Sequence, residues 1–209
     1  MLPDRLIAGY RAFRQGSYSR DRDRYLTLAE AGQTPETMII ACCDSRAAPE
    51  VIFDAHPGEI FVLRNVANLV PPYAPDGEYH GTSAALEFAV MALKVKNVVV
   101  MGHGRCGGIA AALNANPAPL SSGDFIGKWI SLLEGAVAEC ACRDDLGPDG
   151  RRLHLERVSI ARSVGNLRTF PWIRSLEAAG RLVLHGAWFD ISLGELHVLD
   201  EAAGTWQAA

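Results

Sequence analysis

Two uninterrupted apolar runs stand out along the chain, Met38-Ile39-Ile40-Ala41 after Thr37 and Val98-Val99-Val100-Met101 after Asn97. Short runs of this kind, rich in β-branched residues and without polar alternation, predict strands covered on both faces. Glu59-Ile60-Phe61-Val62-Leu63-Arg64 predicts another strand, entered through the turn Pro57-Gly58. Arg181 to Phe189 and Glu195 to Leu199 predict a closing pair, with Gly194 between them as the turn of a hairpin. Helical spacing appears elsewhere. Leu6, Ile7, Tyr10 and Phe13 form a stripe within Leu2 to Phe13, and Arg22 to Ala31 makes a second short helix, stopped by Gly32-Gln33-Thr34-Pro35. A polar loop through Pro71, Pro72, Pro75 and Gly77 precedes a helix over Thr82 to Leu93, on which Leu86, Val90 and Leu93 share a side. Asp124 to Ala141 and Leu153 to Thr169 read as further helices, parted by the break from Asp144 to Gly150.

Strand and helix alternate, so the expected fold is α/β with helices on both faces of a mostly parallel sheet. Its expected form is a three-layer α-β-α arrangement with a central four-stranded parallel sheet plus an antiparallel edge strand. With no internal repeat, low-complexity tract or linker, residues 1–209 read as a single domain. Residues 1–32 form its helical amino-terminal arm. The stripe on that arm precedes the first strand and has no assured partner nearby, so the arm is expected to pack on a partner subunit.

A hydrophobic content of 49% over 209 residues excludes disorder, and a formal charge of -4 gives no reason to expect nucleic acid. Arg5, Arg11, Arg14, Arg20, Arg22 and Arg24 make the arm locally basic, offset in part by Asp4, Asp21 and Asp23. The five cysteines, two of them adjacent, do not form the pattern of a secreted disulfide framework. No stretch reaches the roughly 20 apolar residues that a bilayer demands, and the start of the chain lacks a signal-like apolar segment. A cytoplasmic, reducing setting with no membrane partner is the expectation.

The candidate chemistry lies directly after the two apolar runs. Cys42-Cys43-Asp44-Ser45-Arg46 follows the first, and His103-Gly104-Arg105-Cys106-Gly107-Gly108 follows the second. Two thiolates and an imidazole at the ends of neighbouring strands are a zinc ligand set, and three ligands leave one position open. Either motif alone would more often be ordinary packing, since cysteine is commonly a small buried hydrophobe. Their joint placement after strands is what favours the metal. Side chains alternate along a strand, so only one of Cys42 and Cys43 faces the site, and periodicity does not choose between them. Cys140 and Cys142 have no histidine or further cysteine close by in sequence and read as ordinary helix-end thiols.

From about Gln33 to Ala112 the chain resembles the β class of carbonic anhydrases, and its plant-like branch in particular. The resemblance rests on Cys42-Cys43-Asp44-Ser45-Arg46, Pro57-Gly58-Glu59, Arg64-Asn65-Val66-Ala67-Asn68, Glu87-Phe88-Ala89-Val90 and Gly102 to Gly108. The family's Cys-x-Asp-x-Arg pattern falls on Cys42, Asp44 and Arg46, which selects Cys42 with His103 and Cys106 as ligands of one zinc ion per subunit. The implied activity is the reversible hydration of carbon dioxide to bicarbonate and a proton, by attack of zinc-bound hydroxide on carbon dioxide. Asp44 would accept the hydroxide's proton, and Arg46 would fix Asp44 and keep it ionised. Gln33 is implied as a hydrogen-bond donor to substrate, with Phe61, Val66 and Phe88 lining an apolar pocket. Gln33 and Phe61 would reach that pocket across a dimer interface. The implied assembly is a homodimer or a larger homo-oligomer.

Phe88 stands where many plant-like members carry tyrosine. Ile39 occupies the position at which the bicarbonate-regulated branch needs tryptophan, so Asp44 is expected to stay on Arg46. His80 is a candidate for relaying the product proton outward. Two rivals use the same ligands, a noncatalytic zinc protein and a hydrolase of small carbon-sulfur compounds.

Overall fold

The computed structural model describes residues 1–76, 80–114, 118–143 and 145–209. Gly77 of the proline-bearing loop and Asp144 of the break between helices lie outside them. The chain opens with α1 (Asp4–Gln15), α2 (Ser17–Arg20) and α3 (Arg22–Ala31), none of which buries a residue. Then come β1 (Thr37–Cys42), the short α4 (Pro49–Ile52) and β2 (Ile60–Asn65). Helix α5 (Gly81–Glu87) runs on into a wider π-helical segment, Phe88–Leu93, which Lys94 ends in a left-handed conformation. β3 (Asn97–His103) leads into α6 (Gly107–Ala112), followed by α7 (Phe125–Ile130), α8 (Glu134–Ala141), the long α9 (Pro148–Leu167) and α10 (Pro171–Ala178). β4 (Val183–Asp190), β5 (Glu195–Asp200) and β6 (Thr205–Ala208) close the chain.

The described strands form one six-stranded mixed sheet in the order β2-β1-β3-β4-β5-β6. β2, β1, β3 and β4 run parallel, while β5 and β6 are antiparallel to their neighbours. This corrects the expected four-stranded parallel sheet with one antiparallel edge strand, because the edge is a second hairpin. The Asp200 carboxylate accepts a hydrogen bond from the amide of Ala203 at 3.0 Å, and Gly204 turns the chain at φ 65°. β6 then returns along β5 with Trp206 opposite Leu199. With four residues and one aromatic side chain, β6 produces no alternation for a sequence to show.

The core follows the period of two along the strands. Met38, Ile40, Val98 and Val100 face Ile160, Val164 and Leu167 of α9 and Leu86 of α5. Ile39, Ala41, Met101 and Ala187 point to the other face, where Ile52 of α4 packs on them. Gly102 is required by close approach: a Cβ there would lie 2.6 Å from Ile160 Cδ1, so α9 sits directly on the strand that delivers His103. Ala41 pairs with Met101, which brings the carboxyl ends of β1 and β3 level.

Candidate metal centre

Cys42 is the last residue of β1, His103 the last of β3, and Cys106 caps the start of α6. One ligand atom from each lies within 4.8 Å of the other two, and the two sulfurs are 3.9 Å apart. Cys42, His103 and Cys106 are 5%, 1% and 1% exposed, whereas Cys43 is exposed. Strand alternation therefore turns Cys42 inward, and the choice that periodicity left open is made by burial.

The imidazole is prepared for a metal. Nδ1 of His103 donates to the carbonyl of Gly104 at 2.9 Å, which leaves the lone pair on Nε2. Nε2 is buried, and among the described residues it has no hydrogen-bond partner. An unpartnered buried acceptor is costly, and a cation held between Nε2 and two thiolates removes that cost. The residues present fit zinc on this observation. Without a metal, the S–H shared between the sulfurs pulls Cys42 down and pushes Cys106 up, because the first thiolate opposes the second.

Beside the ligands, Arg46 forks onto Asp44. Its Nε donates to Oδ1 at 2.9 Å, its Nη2 to Oδ2 at 2.7 Å, and its backbone amide again to Oδ1 at 3.0 Å. These bonds hold the Asp44 carboxyl well below the usual carboxylate range. Oδ2 of Asp44 lies 3.9 Å from Nε2 of His103, at the edge of the ligand set. Asp44 is thus engaged by Arg46 at three points beside the ligand set.

Two further residues hold the ligand loops, and sequence reasoning missed the role of each. Arg64 of β2 donates to the carbonyls of Cys42 at 2.8 Å and Asp44 at 2.6 Å, tying the first loop to the sheet edge. Glu156 of α9 is 3% exposed, and its carboxylate accepts from the amide of Cys106 at 3.3 Å and from Trp188 Nε1 at 3.2 Å. Burial pushes the Glu156 carboxyl up, and these two donors oppose that shift. Arg64 stood in a quoted motif without a role. A single glutamate on an amphipathic helix gives no signal at all.

Two of the glycines of the second loop answer close packing rather than backbone conformation. The left-handed residue of that turn is Arg105, at φ 57°. Gly104 instead answers a close approach, since a Cβ there would meet the Trp188 ring at 3.2 Å. Gly108 makes room for Val66 and Ala67, each of which would lie 2.9 Å from its Cβ, whereas Gly107 faces nothing within 4 Å.

Of the expected pocket residues, Val66 lies at this end of the sheet and lines a cavity of about 540 Å³ with Cys43, His80, Phe125 and Trp129. His80 lies 3.7 Å from Asp76. Phe61 and Phe88 pack together at 5.9 Å between ring centroids. Phe61 precedes Asn65, the residue level with Cys42, by four positions, or about 13 Å of strand. Gln33 is exposed and lies ahead of β1, at the opposite end of the sheet from the ligands. A single chain therefore does not bring Gln33, Phe61 or Phe88 to its own metal centre. Cys140 and Cys142 donate to nearby carbonyls, Arg151 and Ala138, apart from the site.

Residues 37–196 match the family described as carbonic anhydrase. The chain is 39% identical over 180 residues to "Beta carbonic anhydrase 5, chloroplastic" of Arabidopsis thaliana, covering 86% of itself and 58% of that protein. It is 34% identical over 195 residues to "Beta carbonic anhydrase 3" of the same plant, covering 91% of itself and 74% of that relative. The first of these relatives is thus spanned over less than two thirds of its length. Among solved structures, the β-carbonic anhydrase CcaA superposes with a TM-score of 0.90 at 31% identity, over 98% of this chain and 91% of that one. A tetrameric β-carbonic anhydrase of Sordaria macrospora gives 0.76 at 31% identity, over 98% and 95%. The chain belongs to the carbonic anhydrase family, in its β class.

Proposed function

We propose that this protein is a carbonic anhydrase that interconverts carbon dioxide and water with bicarbonate and a proton, using one zinc ion per subunit. The observation that carries this reading is the unpartnered Nε2 of His103, buried against two thiols with the Asp44–Arg46 fork at its edge. Zinc bound there would supply a nucleophile by lowering the pKa of water from about 15.7 towards 7. Cys42, His103 and Cys106 would hold it. Asp44, kept ionised by Arg46, serves as a hydrogen-bond acceptor beside the open position and aims the nucleophile. Arg46 in turn is steadied by the Arg105 carbonyl at 3.2 Å. A purely structural zinc would take a fourth protein ligand, and Asp44 is instead engaged by Arg46.

The reading extends to a homodimer or larger assembly. Gln33, Phe61 and Phe88 would then complete a neighbour's pocket with Val66, and the arm would cover a partner. Leu6, Tyr10 and Phe13 are 58%, 55% and 37% exposed, so covering what remains of each is worth only a part of the roughly 1.5–3 kcal/mol of a fully buried apolar side chain. No described helix is long and apolar enough to cross a membrane. A reducing, cytoplasmic setting suits ligand thiols that must stay unoxidised.

Stopped-flow hydration of carbon dioxide by the metal-loaded protein tests this, with carbon disulfide as the competing substrate. Asp44→Asn is expected to retain zinc and lose about 100-fold or more in turnover. Near-normal hydration by that variant, or turnover of carbon disulfide alone, would overturn the assignment.

A further inference from the structure

Helix α9 turns Glu156 towards the metal loop and the next residue, Arg157, towards a different space. Arg157 lines a cavity of about 500 Å³ bounded by α9, the segment before it and the β5–β6 hairpin. Leu146, Leu153, Val158, Leu199 and Trp206 supply apolar walls. The Arg157 guanidinium lies 4.8 Å from the Trp188 ring centroid and 5.4 Å from that of Trp206. Its Nε is buried, and among the described residues nothing accepts a hydrogen bond from it.

The other charges nearby are already matched. Arg143 forks onto Asp145, and Glu201 is held by Arg168. Glu156 and Asp190 act on Arg157 only through space: the first is engaged by Cys106 and Trp188, the second by Ser192. Arg157 is thus a half-buried cation lying over two indoles, with no carboxylate in direct contact with its Nε among the described residues. Stacking offsets part of the cost of burial but satisfies none of the N–H groups.

We propose that this cavity is a binding site for a small monoanionic carboxylate with a flat apolar body, recognised by Arg157 and separate from the metal centre. A carboxylate matches the planar fork of a guanidinium in shape as well as charge. The leucine, valine and tryptophan walls require an apolar body, which a bare inorganic anion would leave unmatched. A single unmatched guanidinium calls for a single negative charge, since Arg143 is already neutralised by Asp145. The volume is in the range of small-molecule pockets, roughly 300–1,000 Å³.

The probe is benzoate, with neutral benzamide as its shape match, titrated into the metal-loaded protein by calorimetry while hydration of carbon dioxide is followed in parallel. Saturable benzoate binding is expected, weakened about tenfold or more by Arg157→Met and partly restored by Arg157→Lys. Magnetisation transfer between benzoate and the Trp206 indole of the unmodified protein is also expected, and it does not depend on a variant folding. The proposal fails if no saturation occurs by about 10 mM. It also fails if benzamide binds equally well, if no transfer to Trp206 is seen, or if a folded Arg157→Met binds benzoate as before.

Discussion

At the carboxyl ends of β1 and β3, His103 is 1% exposed and the loops around it are tied down by Arg46, Arg64 and Glu156. Along α1, α2 and α3 no residue is buried, and Leu6, Tyr10 and Phe13 stand 58%, 55% and 37% exposed. One region assembles its ligands from elements far apart in sequence, because the parallel register of β1 and β3 fixes where they end. The other has the same amphipathic pattern as a core helix but no core to meet. The difference teaches that the three candidate ligands meet within one chain, while the arm leaves apolar side chains that its own chain does not cover; in the proposed assembly a partner would cover them and complete the pocket.

The strongest way to break the metal centre is His103→Ala. It removes the only nitrogen of the ligand set and leaves two buried thiols to share a site with no third donor. Metal analysis is expected to show zinc lost from the purified protein, and stopped-flow hydration to fall by at least about 1,000-fold. Zinc retained at one ion per chain in that variant would show that the three residues are not the ligand set.

A change at the arm should cost less and act by another route. Leu6→Glu with Tyr10→Glu places two charges on the exposed stripe of α1, on residues that are not buried within the chain. Sedimentation is expected to show a smaller species. Activity should fall by about 10- to 100-fold while zinc stays bound, since Gln33, Phe61 and Phe88 lie away from the chain's own ligands. An active, fully dissociated chain would mean that these residues serve no partner's pocket. The comparison between a complete and an incomplete region would then collapse.

How legible each region was depends on how its residues act. The strands ending in Cys42 and His103 were visible as unbroken apolar runs, and the β4–β5 hairpin through Gly194, which turns at φ 70°. β6 was not, because pairing along β5 rather than a buried stripe holds it in place. The ligands were legible because thiol and imidazole are rare chemistry in a fixed spacing. Glu156 was not, since its role comes from α9 crossing β3 at Gly102, a contact between residues far apart in the chain. Arg157 was missed for the same reason, its environment being two tryptophans on β4 and β6.

Glu156 sharpens the comparison from the metal side. Glu156→Gln keeps an oxygen for the Cys106 amide and adds an N–H where the Trp188 indole already donates. Glu156→Leu removes both acceptors and leaves two buried donors unpaired, at about 1–3 kcal/mol each. Chelator competition is expected to show zinc held about 10- to 100-fold more weakly in the leucine variant, with the glutamine variant intermediate. Equal zinc retention by all three proteins, despite lowered melting temperatures, would reduce Glu156 to a packing role.

The smallest effect concerns the pin between arm and sheet. Arg24 of α3 donates to the Pro57 carbonyl at 2.6 Å and to Glu59 at 3.0 Å, while the amide of His56 donates to Glu59 at 2.9 Å. The His56 amide, with Arg24 beside it, holds the Glu59 carboxyl below its ordinary value. A depressed folded-state pKa means that this contribution is fully present above the unfolded value, about 4.5, and is lost as pH falls through the folded one. All the partners are solvent-facing, so the contribution is screened and small. Protection factors along α3, with the intrinsic slowing of amide exchange in acid divided out, should therefore fall on acidification below about pH 4.5. In Glu59→Gln the protection should be lower already at neutral pH and lose that acid dependence. The amides of β3 should be unchanged by the substitution, because the contacts at the metal end do not pass through Glu59. Equal acid sensitivity of α3 in both proteins would show that Glu59 does not hold the arm.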